Sequence, residues 1–354
     1  MQAAIEAPTG DEAQAHDAAA RGWLRTNLDA GESLARVFAQ APSYALARHM
    51  QRLVAEIEAT YADVDALRPV LFAMPLVLVA ALDADTAPVM LAGVLPDLAA
   101  LAARLRDART FGGCETFALA PSLVLPQAID LDALPALLAR TVLAHADGNA
   151  SFGAIVDLPP APIRVDTRDE RVHLRFIVGA VLAPPNVDPL ASAGFAKAGI
   201  DIARALSDAL RAPGVSLLAL PRPPQRLALA VAAGRAAQRE VSAQLFVSNA
   251  VRALRSSYGE PTAIISAHRA PDAPGGGELR LSLSSPFAPR AAQGLRCPIH
   301  PTESVGDVVT ALEVLLGDCQ VGDVRVLAGI HPDVDTATGH PLFFKNLGDD
   351  ASLH

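Results

Sequence analysis

Three histidines of this sequence directly precede a proline, and one of them begins an alternating run of acidic residues. His331 is followed by Asp333 and Asp335 in the sequence HPDVD. Imidazole and carboxylate groups together can bind a divalent metal or act in general acid–base catalysis. Alternate side chains of an extended backbone share a face, so these three could converge on one ion, with His300 or His340 completing the set. The alternative is an ordinary exposed loop in which proline sets the turns.

The position of this cluster depends on a strand that comes directly before it. The apolar stretch 324–330 predicts a strand that ends at His331. If that strand runs parallel to its neighbours, its carboxyl end is where open α/β sheets usually place ligands. The sequence therefore predicts a candidate metal site made of His331, Asp333, Asp335, His300 and His340, with a divalent metal as the possible cofactor.

The segment that follows resembles a known metal-binding motif over a few residues. Asp335 to Phe343 reads DTATGHPLF and resembles the zinc-knuckle sequence CxxCGxPLF, with Asp335 and Thr338 where the cysteines would be. Because both thiolates are missing, the resemblance carries over no zinc site. It implies at most a turn that needs Gly339 and Pro341.

Other patterns that could do chemistry are incomplete. The glycine-containing sequence GFAKAG at 194–199 matches neither GxxxxGK[ST] nor GxGxxG, so it predicts no cofactor-binding residues. A GxSxG nucleophile motif is absent from the sequence. Cys297 and His300 have the spacing of metal ligands, but a second pair is missing.

A faint internal repeat organises the rest of the chain. The sequence GVSLLALPR, beginning at Gly214, repeats GCETFALAP, which begins at Gly113, at an offset of 214 − 113 = 101 residues. At the same offset the apolar run Val70–Leu82 falls on Arg171–Ala183. This repeat predicts two α/β lobes built on one plan.

The predicted fold class is α/β, with an internally duplicated, two-lobed mixed sheet covered by helices and a helical N-terminal prefix. Helical periodicity in the prefix is typical of core packing, and a helix that binds a partner would show the same apolar stripe. The predicted divisions are a disordered tail at 1–11, the helical prefix at 12–66, a first lobe at 67–163, a second lobe with a C-terminal extension at 164–335, and a tail at 336–354.

Composition limits the partners and the compartment. The 354 residues carry a formal net charge of −9, and the only lysines are Lys197 and Lys345. Without a basic stripe, nucleic-acid binding is disfavoured. The longest apolar run, 69–82, is too short to cross a membrane, and the amino terminus does not resemble a secretory signal. Three scattered cysteines favour a reducing cytoplasm, and abundant alanine and arginine with little lysine is typical of a GC-rich bacterial genome.

These observations favour binding over catalysis. The sequence predicts a soluble bacterial cytoplasmic binding or assembly protein that joins a protein partner or itself through its N-terminal helices, without nucleic acid or membrane. Two alternatives stay open. One is a metal-assisted enzyme that uses the C-terminal His/Asp cluster, and the other is a small-molecule sensor that binds between the lobes.

Overall fold

The computed structural model mixes helices and strands in two compact units. The described residues are 18–22, 53, 68–95, 97–114, 116–129, 160–184, 187–191, 194–269, 277–299, 303–336 and 338–344. Those up to Gln238 belong to the first unit and those from Arg239 onward to the second. The predicted α/β character is therefore confirmed in its coarse form.

From residue 68 onward, the described part of the first unit has strands interleaved with two shorter helices, followed by the start of a long one. Its elements in chain order are β1 (Arg68–Leu82), β2 (Val89–Leu91), α1 (Leu98–Asp107), β3 (Phe117–Val124), a 3₁₀ turn (Pro126–Ala128), β4 (Ile163–Val165), β5 (Arg171–Ala183), α2 (Gly194–Ala209), β6 (Val215–Pro221), β7 (Gln225–Arg226) and α3 (Leu227–Tyr258), which continues into the second unit.

One antiparallel sheet, in the order β3-β5-β1-β6, forms the centre of the first unit, and β7 also pairs with β1. The halves β1-α1-β3 and β5-α2-β6 each supply one central strand and one outer strand. In each half the two strands are separated by a strand of the other half, which is the split βαβ topology. The short strands β2 and β4 pair with each other separately.

The central strands β1 and β5 are buried on both faces, which explains their nearly continuous apolar sequences. On one face, Phe72 and the other even-numbered residues from Val70 to Leu82 pack in a core with Leu101 of α1 and Leu206 of α2. On the opposite face, Gly234 of α3 lies against Phe176 and Leu174 of β5. Helices therefore cover both sides of the sheet.

The pairing of β1 with β5 contains one residue pair whose separation equals the offset of the predicted repeat. Pro75 pairs with Phe176, and these residues are 176 − 75 = 101 positions apart, the same offset as the sequence repeat. Strands β1 and β3 of the predicted first lobe share one sheet with β5 and β6 of the predicted second lobe, and the predicted division at 163/164 falls inside β4. A strand that is apolar on both faces needs apolar neighbours, and β1 and β5 are such neighbours for each other.

The second unit contains the later part of α3 and a four-stranded sheet. Its remaining elements are β8 (Thr262–Arg269), β9 (Gly277–Ser285), β10 (Ala288–Ile299), α4 (Val305–Asp318) and β11 (Asp323–His331). The sheet order is β10-β9-β8-β11, with β11 parallel to β8 and the other pairs antiparallel. Leucines of β9 pack against α3 and α4 on one face of this sheet. The parallel pair is the part of the fold that fits the predicted mixed sheet.

Several predicted segments fall wholly or largely outside the described residues. The tail at 1–11 and residues 345–354 lie outside them. The same holds for residues 132–145, whose sequence predicts a helix, and for residues 152–158, whose sequence predicts a strand. Within the predicted prefix only residues 18–22, which are helical, and Leu53 are described. In the described parts of the chain, no helix has the length and apolar character needed to cross a membrane. Cys114, Cys297 and Cys319 are all unpaired.

Candidate functional site

The face of the second sheet that points away from the helical core is polar and buried. Along β9 the side chains of Glu278, Arg280, Ser282 and Ser284 alternate with leucines, and all four are at most 2% exposed. Since successive side chains of a strand point to opposite faces, the leucines fill the core while the polar residues line the other side. Buried polar groups of this kind need partners, because an unpaired one carries its full desolvation cost.

Two arginines satisfy the buried carboxylate at the centre of this face. Arg280 Nε donates to Glu278 Oε1 at 2.6 Å, and Arg296 Nε donates to Glu278 Oε2 at 2.8 Å. Burial alone would raise the pKa of Glu278, but the hydrogen bonds and charges of Arg296 and Arg280 hold that pKa below its ordinary value. Glu278 is therefore ionised and held by its two partners.

His268 of β8 lies on the same face and is 2% exposed. Its Nδ1 lies 2.8 Å from the carbonyl oxygen of Pro332, which can only accept, so Nδ1 carries the proton. Nε2 then accepts from the hydroxyl of Ser266 at 2.8 Å. Burial lowers the pKa of His268, and the nearby charge of Arg280 lowers it further, while the bond to Pro332 acts in the opposite direction. The neutral imidazole is the form that fits this site.

The same face holds the C-terminal segment 332–344. Arg280 Nη1 donates to the carbonyl oxygens of Asp333 and Leu342, so one guanidinium joins two points of this segment. The ring of Phe343 lies 5.8 Å from the Arg280 guanidinium carbon, in a cation–π arrangement. We name Ser266, His268, Glu278, Arg280 and Arg296 the polar cluster. Its hydrogen bonds fix the C-terminal segment to the sheet.

Within the C-terminal segment the chain makes the turn that the zinc-knuckle resemblance implied. Gly339 has φ of 67°, a left-handed conformation that glycine adopts without steric cost. Its amide donates to the carbonyl of Asp335 at 2.8 Å, and Val334 and Pro341 form an antiparallel bridge. The turn is thus closed by backbone hydrogen bonds.

The predicted metal-binding residues occupy different environments. His331, Asp333 and Asp335 are half-buried, whereas the residues between them are exposed, as the alternation predicted. His331 Nε2 and Asp333 Oδ1 are both buried without a hydrogen-bond partner in the described structure. The His331 ring packs 5.0 Å from Phe344 and 5.9 Å from His268.

The other two predicted ligands do not extend this group. His340 is exposed at the turn, and its carbonyl accepts from the Asp335 amide at 2.9 Å. His300 lies outside the described residues. Among the side chains that the structure describes, no group of three or more His, Cys, Asp or Glu residues is arranged to hold a metal ion. The five-residue metal site stays a prediction.

The strand β11 ends the second sheet and leaves apolar side chains in solvent. Ile330 is 69% exposed and Val326 is 47% exposed. The register with β8 shifts between these two residues. Every residue of β11 is at least partly exposed, although most of its sequence, DVRVLAGIH, is apolar. An apolar strand at the edge of a sheet is a surface to which another strand can pair.

A second candidate site lies in the first unit, between α1 and α2. A cavity of about 340 Å³ opens there, within the range typical of small-molecule sites. It combines alanine and leucine side chains with three charged residues, and α1 and α2 belong to different halves of the sheet. Its lining residues are Leu95, Asp97, Ala100, Leu101, Arg104, Ala205, Leu206, Asp208 and Ala209.

The polar cluster was missed by the sequence argument, although a signal for it was present. The sequence of β9, GELRLSLSS, alternates strictly between polar and leucine residues. Alternation is ordinarily a sign that the polar face meets solvent. Glu278 and Arg280 are buried because other segments of the chain cover that face. The sequence pattern of a single strand does not show whether such a cover exists.

Comparison of the chain with protein-family models, with curated proteins and with solved structures found no match.

Proposed function

We propose that this chain is a soluble cytoplasmic assembly protein that acts by binding, and that β11 is the surface through which two copies pair. The observation that carries the proposal is the exposed apolar edge formed by Val326 and Ile330. β11 pairs with β8 along one edge, and its other edge has no partner among the described strands. Apolar side chains exposed on such an edge strand favour association, because pairing buries them and satisfies open backbone donors and acceptors.

The state of the polar cluster supports binding over catalysis. The carboxylate of Glu278 accepts hydrogen bonds from two arginines, and both ring nitrogens of His268 have hydrogen-bond partners. A general acid or base needs a proton position open to a substrate. These groups are used instead to fix the C-terminal segment to the sheet.

A second copy of the chain suits the edge because the sequence of β11 is compatible with itself. Antiparallel pairing centred on Leu327 places Val324 opposite Ile330 and Asp323 opposite His331, since 324 + 330 and 323 + 331 both equal 654. Apolar residues then meet apolar residues, and like charges do not face each other. The net charge of −9 opposes association at long range, so added salt should strengthen pairing.

The test is the mass of the protein in solution. Sedimentation equilibrium of the full chain over a range of concentrations should show a dimer of the 36.7 kDa chain that becomes more populated as salt is added. Ile330→Lys should abolish the dimer, because a charged lysine on an edge strand prevents strand pairing. Ile330 is 69% exposed, so folding should be retained and can be checked by circular dichroism.

The matched control is Val314→Lys on α4, where the side chain is 59% exposed and lies outside β11. It should dimerise like the wild type. A wild-type chain that stays monomeric at all concentrations, or a dimer that Val314→Lys disrupts as strongly as Ile330→Lys, contradicts pairing through β11.

The cavity between α1 and α2 favours a second candidate function, a sensor that binds a small molecule between two duplicated halves. We propose that the first unit arose by duplication. The support is the common offset of 101 residues, which relates the repeated sequences and also Pro75 to its pairing partner Phe176. At that offset α1 falls at 199–208, inside α2. A ligand between these helices would contact both halves.

A further inference from the structure

The floor of the cavity between α1 and α2 is apolar. Leu101 and Leu206 are at most 5% exposed and belong to the core of the first unit. Alanine side chains of both helices continue the lining. A ligand that fits this floor has a small apolar body, because burial of apolar surface is the favourable term available there.

Two carboxylates and one guanidinium contribute the charge of the lining. Asp97 Oδ1 accepts from the amide of Ala100 at 2.9 Å, and Asp208 Oδ1 accepts from Arg211 at 3.1 Å. A carboxylate accepts at two oxygens, so each of these side chains has acceptor capacity left for a ligand. The side chain of Arg104 makes no ion pair with any residue that the structure describes. The lining therefore offers positions for both a cationic and an anionic group.

Arg104 also distinguishes the two halves at this site. Its counterpart at the offset of 101 residues is Ala205, and both residues line the cavity. A guanidinium faces the cavity from one half while the other half has a methyl group. This difference places the cationic side chain on α1 alone and gives a bound ligand one preferred orientation.

We propose that this cavity binds a small zwitterion with an apolar side chain, of the class of the apolar α-amino acids. The carboxylate of the ligand pairs with Arg104, its ammonium group with Asp97 and Asp208, and its side chain rests on Leu101 and Leu206. A guanidinium holds a carboxylate through two parallel hydrogen bonds, which makes Arg104 the principal anchor. The proposal rests on the sensor function and is independent of pairing through β11.

The experiment uses the full chain and three probes of the same apolar body: L-leucine, 3-methylbutylamine and 4-methylpentanoate. Isothermal titration calorimetry, supported by thermal melting, should show saturable binding of L-leucine and binding at least about tenfold weaker for the other two probes. Arg104→Gln should weaken L-leucine binding by at least about tenfold. Arg204→Gln is the matched control, because Arg204 is exposed on α2 and lies outside the cavity lining, and it should leave binding unchanged.

A cavity-filling variant separates the ligand class from the sensor function. Ala205→Leu adds volume to the lining and should abolish binding of every probe that occupies the cavity. If the amine or the acid binds as tightly as L-leucine and Ala205→Leu removes that binding, the zwitterion proposal is overturned while the sensor function stands. If none of the three probes binds, or if L-leucine binding survives Ala205→Leu or Arg104→Gln, the zwitterion proposal is overturned at this cavity.

Discussion

The two sheets of this protein are stabilised in different ways. The central strands of the first sheet have mostly apolar side chains buried on both faces, and Arg175 is their buried charge. The second sheet has one apolar face and one buried polar face, on which Glu278, Arg280 and His268 are paired. Apolar burial is non-directional and tolerates small shifts, but a buried ion network depends on every partner being present. The first sheet should therefore be sensitive to volume, and the second to the loss of a single charge.

The largest expected effect is that of removing the central arginine of the second sheet. Arg280→Met keeps most of the side-chain volume but leaves Glu278 without its 2.6 Å partner, and the carbonyls of Asp333 and Leu342 lose their donor. Removing one partner of a buried ion pair costs about 3–5 kcal/mol, and Arg296 still pairs with Glu278 in this variant, so the low end of that range is expected. Denaturant unfolding should show a loss of this size in the free energy of unfolding.

Arg296→Met is the comparison variant, since this second partner of Glu278 has a side chain that is 38% exposed. Its loss should be smaller, because solvent can replace part of the interaction. Equal losses for the two variants would contradict the central place given to Arg280.

An intermediate effect is expected from added volume in the first sheet. In β5, a Cβ on Gly179 would collide with the carbonyl oxygen of Ala118 and lie 2.7 Å from Phe72 Cζ. Gly179→Ala should therefore lower the free energy of unfolding by about 1–3 kcal/mol, as overpacking does. Gly317→Ala in α4 is the control, because a Cβ there meets no neighbour within 4 Å. That control should be neutral or slightly stabilising, since alanine favours helix.

The smallest expected effect is a pH dependence specific to the second sheet. The folded protein lowers the pKa of His268 from 6.5, so the unfolded chain binds the proton more tightly. The contribution of His268 to the free energy of unfolding is complete above pH 6.5 and is lost as the pH falls below that value. The slope of this loss is at most about 1.4 kcal/mol per pH unit. His268→Gln should remove this part of the pH dependence, as measured by denaturant unfolding between pH 7.5 and 5. Identical curves for wild type and variant would show that His268 does not contribute.

The local elements could be predicted from the sequence where periodicity or composition was strong. The apolar run Val70–Leu82 corresponds to β1, and the apolar stretch 324–330 lies within β11. Each of these features depends on neighbouring residues, which is why a single sequence records it.

Long-range features could not be predicted in the same way. Nothing in the sequence near β1 indicates that it pairs with β5 instead of a strand of its own half. The polar residues of β9 also gave no indication that Arg280 reaches Leu342, 62 residues later. The alternation of His331, Asp333 and Asp335 is visible in the sequence, but the rings of His268 and Phe344 that lie against His331 are not. These outcomes depend on which segments meet in space.

The two backbone carbonyls that accept from Arg280 have a consequence for folding during synthesis. Its guanidinium reaches the carbonyl of Leu342, so the second unit cannot complete its hydrogen bonds until the ribosome has added that residue. Until then a charged side chain destined for the interior has only part of its partners. A chain that stops before residue 342 therefore lacks one acceptor for the buried arginine, and its second unit should be less stable and more readily cleaved by proteases than that of a chain containing Leu342.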